Sequence, residues 1–294
     1  MRKIIMIIST LILASQLMAE NYRIISTKNG KDVSIRSWAK ELAKSDVVFF
    51  GEKHDDPTLH SLQRQLLPVL HKQQKRLIVS FEMFERDVQS VIDAYLKDEL
   101  TEAEFLQQSR PWGNYDPDYR SLLEYAKREN LKVLAANIPR EYASRVVRSG
   151  TEFLESLSPE EQKLMAKEIS APAGTYKESF LQTMGLVTAH GMPGDANVMD
   201  RLFYAQCMKD DTMAESIKLA LEANPKHKVI HFNGDFHSRS YLGTVERLKN
   251  RLPKLRIKLI SYEFSPDIAS YVLPDQATRI ADYLIVLPEG REEE

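Results

Sequence analysis

The segment Asp46-Val47-Val48-Phe49-Phe50-Gly51-Glu52-Lys53-His54 carries the clearest indication of the fold. A short apolar run is followed at once by a glycine, an acid and a histidine. Glycine permits a sharp turn off a strand or a close backbone approach. The segment therefore predicts a buried strand that delivers polar side chains to its carboxyl end.

The same form recurs later in the chain, where Lys228–Phe232 runs into Asn233-Gly234-Asp235-Phe236-His237. Two further apolar runs end in polar residues: Arg76–Phe81 is followed by Glu82, and Leu131–Ala136 by Asn137-Ile138-Pro139-Arg140. Ligands of open α/β sheets bind outside the carboxyl ends of the strands. If the four strands are parallel neighbours, their ends face one pocket.

Strand-like runs at Arg256–Tyr262 and Asp282–Leu287 complete a set of six, separated by stretches with helical spacing of apolar residues. One such helix is predicted from Phe84 to Leu96. Residues 149–224 show only helical patterns and loops. The pattern predicts an α/β fold with a mostly parallel central sheet, flanking helices and a helical cap insertion at about 149–224.

Composition narrows the class of protein. The chain has 294 residues, 43% of them hydrophobic, which is enough to build a sizeable core. Its one cysteine, Cys207, can form no internal disulfide and no cysteine-rich metal site. A net charge of −2 provides no basic field for nucleic acid, so we expect no nucleic-acid partner.

The first residues are typical of a secretory signal. Arg2 and Lys3 precede an apolar stretch, and Ala19 is a small residue at a plausible cleavage point. We expect a signal peptide at 1–19 and a single domain at 20–294. Because no cysteine lies at the cleavage point, a lipid anchor is not expected there, and the predicted location is periplasmic or secreted.

Glu52, His54, Glu82 and His237 are the candidate functional residues. Glu52 and His54 are two positions apart and point the same way if the backbone stays extended. That arrangement suits two ligands of one metal ion or an acid that orients an imidazole. Glu82 follows a buried strand directly, so its pKa should rise unless a cation or metal lies beside it.

The aromatic loop Ser109–Tyr119 and nearby aromatic residues suggest a second feature, a wide slot for a flat apolar ligand. Arginines such as Arg140 could form a positive rim for carboxylates. His190 lies in a loop of the helical insertion, from which it could reach the crevice.

The paired motifs Gly51–His54 and Gly234–His237, the Phe81-Glu82 strand end and the helical stretch Phe203–Gln206 with Asp210–Ala214 resemble the ChaN-like haem-binding uptake family of the Tiki superfamily. The resemblance implies an exported haem-binding protein of an uptake system. Family members hold stacked haems across a homodimer, with tyrosine as axial ligand. An outer-membrane haem transport system is the implied partner.

The axial tyrosine cannot be aligned by motif, so five candidates stay open: Tyr115, Tyr119, Tyr142, Tyr176 and Tyr204. Arg140 and His190 join them as candidate haem contacts. Haem is the expected cofactor, and a divalent metal ion is the alternative.

Two rival functions use the same four polar residues. Other branches of the superfamily are metal-dependent proteases or esterases. This implies a hydrolase in which His54, His237 and either Glu82 or Glu52 bind a divalent ion and the remaining glutamate activates water. A metal-free esterase would instead use His54 as general base, oriented by Glu52.

Overall fold

A computed structural model describes residues 22–188 and 196–289. The expected signal peptide at 1–19 and His190 lie outside the described residues. Among the described helices, none combines the length and the apolar character that a membrane span requires.

One eight-stranded sheet organises the structure, in the order β2-β1-β8-β7-β3-β6-β4-β5. The strands are β1 (Arg23–Ser26), β2 (Lys31–Asp32), β3 (Val47–Glu52), β4 (Leu77–Glu85), β5 (Lys132–Asn137), β6 (Lys228–Gly234), β7 (Ile257–Ser265) and β8 (Tyr283–Pro288). Strands β3 to β8 are mutually parallel, whereas β1 pairs antiparallel with both β2 and β8. The predicted α/β fold with a mostly parallel sheet is confirmed.

Helices cover both faces of the sheet. They are α1 (Ile35–Leu42), α2 (Pro57–Gln73), α3 (Gln89–Leu96), α4 (Glu102–Ser109), α5 (Arg120–Arg128), α6 (Arg140–Ser149), α7 (Pro159–Gln162), α8 (Thr175–Thr188), α9 (Ala196–Ala223), α10 (Gly243–Arg251) and α11 (Ala277–Ile280). Short 3-10 turns lie at Arg86–Val88, Glu152–Ser156, Asp235–His237 and Arg239–Tyr241, and a π-helical turn at Tyr115–Tyr119.

The side chains of β3 point alternately to the two faces of the sheet, and both faces are part of the core. Val48 and Phe50 pack on one face, where α1, α2 and α5 bury Trp38, Leu66 and other apolar residues. Val47 and Phe49 pack on the other face, against α9 and α10. Since both faces are covered, β3 is apolar over four consecutive residues rather than alternating.

The helix that was expected from Phe84 to Leu96 begins later. Phe84 lies in β4, which runs to Glu85, and α3 starts at Gln89. The register of β4 against β5 shifts between Phe81 and Glu85. Such irregularities re-aim side chains at the end of a strand, and this one lies at Glu82.

Residues 149–224 contain only helices and loops in their described part. The C-terminal half of α9 is nevertheless a core element, because Ala214 and Ile217 pack directly against the sheet. The expected helical insertion at 149–224 therefore includes the C-terminal half of α9, which belongs to the layer of helices that covers the sheet.

Candidate functional site

The carboxyl ends of β3, β4 and β6 meet at one cavity of about 750 Å³. Strand β6 lies between β3 and β4, so the turn after Gly234 falls between Glu52 and Glu82. The structure brings together all four candidate residues. The cavity is lined by Glu52, Lys53, His54, Asp55, Glu82, Trp112, Phe180, Thr183, Met184, Gln206, Lys209, Gly234, Asp235, Phe236, His237 and Tyr262.

Glu52 and His54 form a hydrogen-bonded pair at one side of the cavity. Nδ1 of His54 lies 3.0 Å from Glu52 Oε1, and the Tyr119 hydroxyl donates to the same oxygen at 2.5 Å. Gln63 donates to the other carboxylate oxygen. Glu52 is only 2% exposed, and these donors compensate the burial of its carboxylate.

The pair fixes how His54 is presented. A carboxylate only accepts, so the proton on Nδ1 faces Glu52 and Nε2 is left for other partners. Burial by itself lowers the pKa of His54, but the hydrogen bond to Glu52 and the charge of Glu82 raise it above its ordinary value. The ring lies over Gly234, where an added Cβ would be 2.7 Å from Nε2.

His237 is clamped between two carboxylates on the opposite side. Its Nδ1 donates to Asp210 Oδ1 at 2.7 Å, and its Nε2 to Glu82 Oε1 at 3.2 Å. Burial opposes the charged imidazolium, but Glu82 and Asp210 outweigh it and raise the pKa of His237 to about 9. His237 is therefore held as a cation.

The pairing with His237 also lowers the pKa of Glu82, which was expected to rise unless a cation or metal lay beside it. Burial raises it, as the sequence predicted for an isolated carboxyl, but the charge and hydrogen bond of His237 lower it overall. The backbone N–H of Gly234 also donates to Glu82 Oε2 at 2.7 Å. The neighbouring cation that the expectation required is the side chain of His237.

Asp210, in the middle of α9, orients His237 and was named from the sequence only within the stretch that carries the family resemblance. Besides His237, its carboxylate accepts from the hydroxyls of Thr244 and Tyr176 at 2.8 and 2.6 Å. A signal existed, because Asp210 and Asp211 are adjacent acids flanked by the apolar residues Phe203, Met208 and Met213 of the same helix. Buried acids require partners.

Asp235 forms part of the cavity wall beside Gly51. Its Oδ2 accepts from Ser261 and Arg239 at 2.8 and 3.1 Å. Burial raises the pKa of Asp235 to about 6 in spite of the Arg239 charge. An added Cβ on Gly51 would lie 2.1 Å from Asp235 Oδ1, so this glycine is required for the close approach.

The five candidate tyrosines are distributed away from the cavity lining. Tyr119 donates to Glu52 and Tyr176 to Asp210, and in both cases burial and the nearby acid raise the pKa of the phenol. Tyr115 and Tyr142 are buried in core clusters, and Tyr204 packs against the latter cluster. Tyr262 of β7 is the tyrosine that lines the cavity among the described residues.

The aromatic loop is less exposed than expected. Tyr115 and Tyr119 are buried at 4% and 1% exposure, because the π-helical turn packs them inward. Trp112 does reach the cavity and meets His54 edge-on, with ring centroids 4.9 Å apart. Arg140, the expected rim cation, pairs with the buried Glu85 instead.

No group of three or more His, Cys, Asp or Glu side chains within 22–188 and 196–289 is arranged to hold a metal ion. The reason is visible at His237, since carboxylates occupy both of its ring nitrogens. A metal ion at this position would have to displace Glu82 from Nε2.

The fold agrees with the comparison to known families. A family model described as haem-binding uptake, Tiki superfamily, ChaN, matches residues 38–248. The chain belongs to this haem-binding uptake family. The match spans strands β3 to β6 and therefore includes Glu52, His54, Glu82 and His237.

The ChaN fold is shared by a solved structure, and a second solved structure shows a weaker similarity. ChaN of Campylobacter jejuni, in a structure described as showing cofacial haem binding, superposes with a TM-score of 0.69 at 19% identity, covering 92% of this chain and 97% of that one. An erythromycin esterase gives a TM-score of 0.48 at 14% identity, covering 83% and 77%.

A local sequence similarity was also found. An adenosine 5'-phosphosulfate reductase of Halalkalibacterium halodurans is 37% identical over 68 residues, which is 23% of this chain and 29% of that relative. The chain thus spans less than a third of that relative's length.

Proposed function

We propose that this chain binds haem in the cavity at the carboxyl ends of β3, β4 and β6 and acts in haem or iron uptake. The observation that carries the proposal is the apolar wall of that cavity, formed by Trp112, Phe180, Met184 and Phe236. Its volume of about 750 Å³ is within the roughly 300–1,000 Å³ typical of sites for organic ligands. Membership of a haem-binding family supports it.

Tyr262 is the residue that we propose as axial ligand. Its side chain is part of the cavity wall, and its phenol is the ligand type that the family resemblance implies. Burial and the nearby Asp235 raise the pKa of Tyr262 to about 12. Bound ferric haem supplies a Lewis-acidic iron that accepts a phenolate oxygen.

The proposal includes the setting of the protein. We infer export by the segment 1–19, a single domain at 20–294, assembly as a homodimer around haem, and exchange of haem with an outer-membrane transport system. Helix α8 and the first half of α9 supply Phe180, Met184, Gln206 and Lys209 to the cavity. We propose that these two helices act as its cap.

Hemin titration tests the proposal. We expect saturable binding to the mature protein with a shifted Soret band, and an altered band in Tyr262→Phe. Lack of saturation, or equal spectra for wild type and a Trp112→Ala/Phe236→Ala double variant, would overturn binding at this cavity. Sedimentation velocity with and without hemin tests the dimer.

Hydrolysis is the second candidate function, favoured by the His54–Glu52 pair. Nδ1 of His54 lies against the buried Glu52, which holds Nε2 available as a general base. A metal-dependent protease or esterase would use His54, His237, Glu52 and Glu82 as ligands, whereas the observed hydrogen bonds suit the metal-free form.

Ester hydrolysis should be assayed on p-nitrophenyl acetate with and without EDTA. A rate that is lost in His54→Ala and unaffected by EDTA supports the metal-free reaction. A rate that EDTA abolishes and Zn²⁺ or Mn²⁺ restores supports the metal-dependent one. A rate equal in wild type and His54→Ala contradicts both.

A further inference from the structure

The charges that line the cavity are almost all paired within the protein. Glu52 is compensated by His54, Glu82 by His237, and Asp235 by Arg239. Also in the cavity lining, Nζ of Lys53 lies 2.5 Å from Asp55 Oδ1. Each of these charges is therefore matched before any ligand enters.

Lys209 is the exception. It is half-buried in the cavity wall, yet the structure gives it no hydrogen bond and no ion pair with any residue of the described ranges. The nearby acids are engaged elsewhere: Glu82 accepts from His237 and Gly234, and Asp210 from His237, Thr244 and Tyr176. The charge of Lys209 helps to lower the pKa of Glu82, but no atom of the described ranges accepts a hydrogen bond from its ammonium group. The donors of this half-buried ammonium group are therefore left for a ligand.

From these unused donors we infer that Lys209 binds a carboxylate of the ligand, so that the cavity selects apolar ligands that carry an acid group. The inference rests on the proposed haem function and assigns the haem propionate to this end of the cavity. Lys209 lies one helical turn after Gln206 on α9, and both line the cavity.

The apolar and charged parts of the cavity are arranged to match such a ligand. Phe180 and Met184 of α8 and Phe236 form an apolar part of the wall of the cavity that Lys209 also lines. A flat apolar body contacts these side chains while its acid group meets the ammonium. The Coulombic attraction between an ammonium and a carboxylate is stronger in a partly dehydrated site than at the surface.

Binding of three porphyrins separates carboxylate recognition from iron ligation. Hemin carries iron and propionates, hemin dimethyl ester carries iron alone, and protoporphyrin IX carries propionates alone. In Lys209→Met we expect affinity for hemin and protoporphyrin IX to fall roughly tenfold, as for loss of one charge-assisted hydrogen bond, with the dimethyl ester unchanged. Lys209→Arg should restore most of the loss.

Lys218→Met is the matched control, because Lys218 lies on the same helix and pairs with Glu222 away from the cavity. Equal loss for the ester and the free acids in Lys209→Met, or no loss at all, overturns the inference. Laurate competition separates haem from a simpler amphipathic acid: if wild type fails to bind hemin but Lys209 controls laurate binding, the haem proposal fails while carboxylate recognition stands.

Discussion

His237 donates from Nδ1 to Asp210 Oδ1 at 2.7 Å, a bond that joins the turn after β6 to the middle of α9. The bond turns the other ring nitrogen towards Glu82, 3.2 Å away. It therefore keeps an imidazolium and a carboxylate in contact at the floor of the cavity. Helix α9 carries Asp210, which orients the imidazolium of His237, and it also carries Lys209. One helix therefore positions both cations of the site.

Stability should depend on pH in two opposing ways. The pKa of His237 is raised from 6.5 to about 9, so its stabilisation is complete below pH 6.5 and lost as the pH rises towards 9. Burial lowers the pKa of His231 from 6.5 to about 3, so the unfolded state binds the proton first and stability falls as the pH drops below 6.5.

Thermal unfolding followed by circular dichroism from pH 4 to pH 10 measures the loss of stability at alkaline pH (the alkaline arm) and at acid pH (the acid arm). We expect the alkaline arm to flatten in Asp210→Asn, because the pKa of His237 loses one raising charge, with a midpoint lower by about 5 °C at pH 6.5. His231→Leu should flatten the acid arm only. An unchanged alkaline arm in Asp210→Asn would contradict the assigned charge of His237.

Two glycines at the site should respond differently to alanine. A Cβ on Gly51 meets Asp235 Oδ1 at 2.1 Å and the Ile260 carbonyl oxygen at 3.0 Å. The Asp235 carboxylate is held by Ser261 and Arg239, and Ile260 belongs to β7. We expect Gly51→Ala to lower the free energy of unfolding by about 2 kcal/mol or more. Urea denaturation measures this loss.

At Gly234 the obstacle is the His54 ring, whose side chain is 43% exposed and can swing outward. Gly234→Ala should therefore cost less than about 1 kcal/mol but shift the NMR resonances of the His54 ring. Equal stability losses in the two variants would show that His54 is as rigid as the sheet.

Substitutions of Tyr119 and Tyr262 should distinguish a tyrosine that stabilises the fold from one that binds the ligand. Tyr119→Phe removes a donor from the buried Glu52 and is expected to cost about 1–3 kcal/mol, with the Soret band of the hemin complex unchanged. Tyr262→Phe should alter that band with little effect on stability. The reverse result, a changed band only in Tyr119→Phe, would reassign the axial ligand.

Gln89 protects the edge of the sheet. Its side-chain amide donates to the Val133 carbonyl at 3.0 Å and accepts from the Ala135 N–H at 2.7 Å, in the way that a neighbouring strand would pair with β5. An unpaired edge strand is a template for association. Gln89→Ala should lower stability by about 1–3 kcal/mol and increase self-association, measured by light scattering. Gln65→Ala, at an exposed position of α2, should do neither.

All six predicted strands are present, because apolar runs bounded by polar residues encode buried parallel strands locally. The two strands that sequence reasoning missed, β1 and β2, are short, and β1 is defined by pairing with β8. Pairing partners so remote in sequence leave no local pattern. The late start of α3 was missed because Phe84 fits a helical spacing as well as a buried strand end.

The sequence also identified Glu52, His54, Glu82 and His237, since each follows a strand-like run within a few residues. It named Asp210 only within the family resemblance, with no role, and did not identify Lys209 or Tyr262. Helical periodicity predicts which face of α9 is buried. It does not predict over which strand end that face lies. The tyrosine that lines the cavity is on β7, outside the motifs that drew attention to the other five.

What the sequence by itself determined is the α/β class, the parallel strands and the turns that place acids and histidines at their carboxyl ends, because strand length, burial and turn chemistry are local properties. Tertiary structure alone decided that β6 lies between β3 and β4 and that α9 crosses this edge. Those placements set every charge pairing in the cavity. Electrostatic interactions depend on distance in space, which residue spacing does not specify.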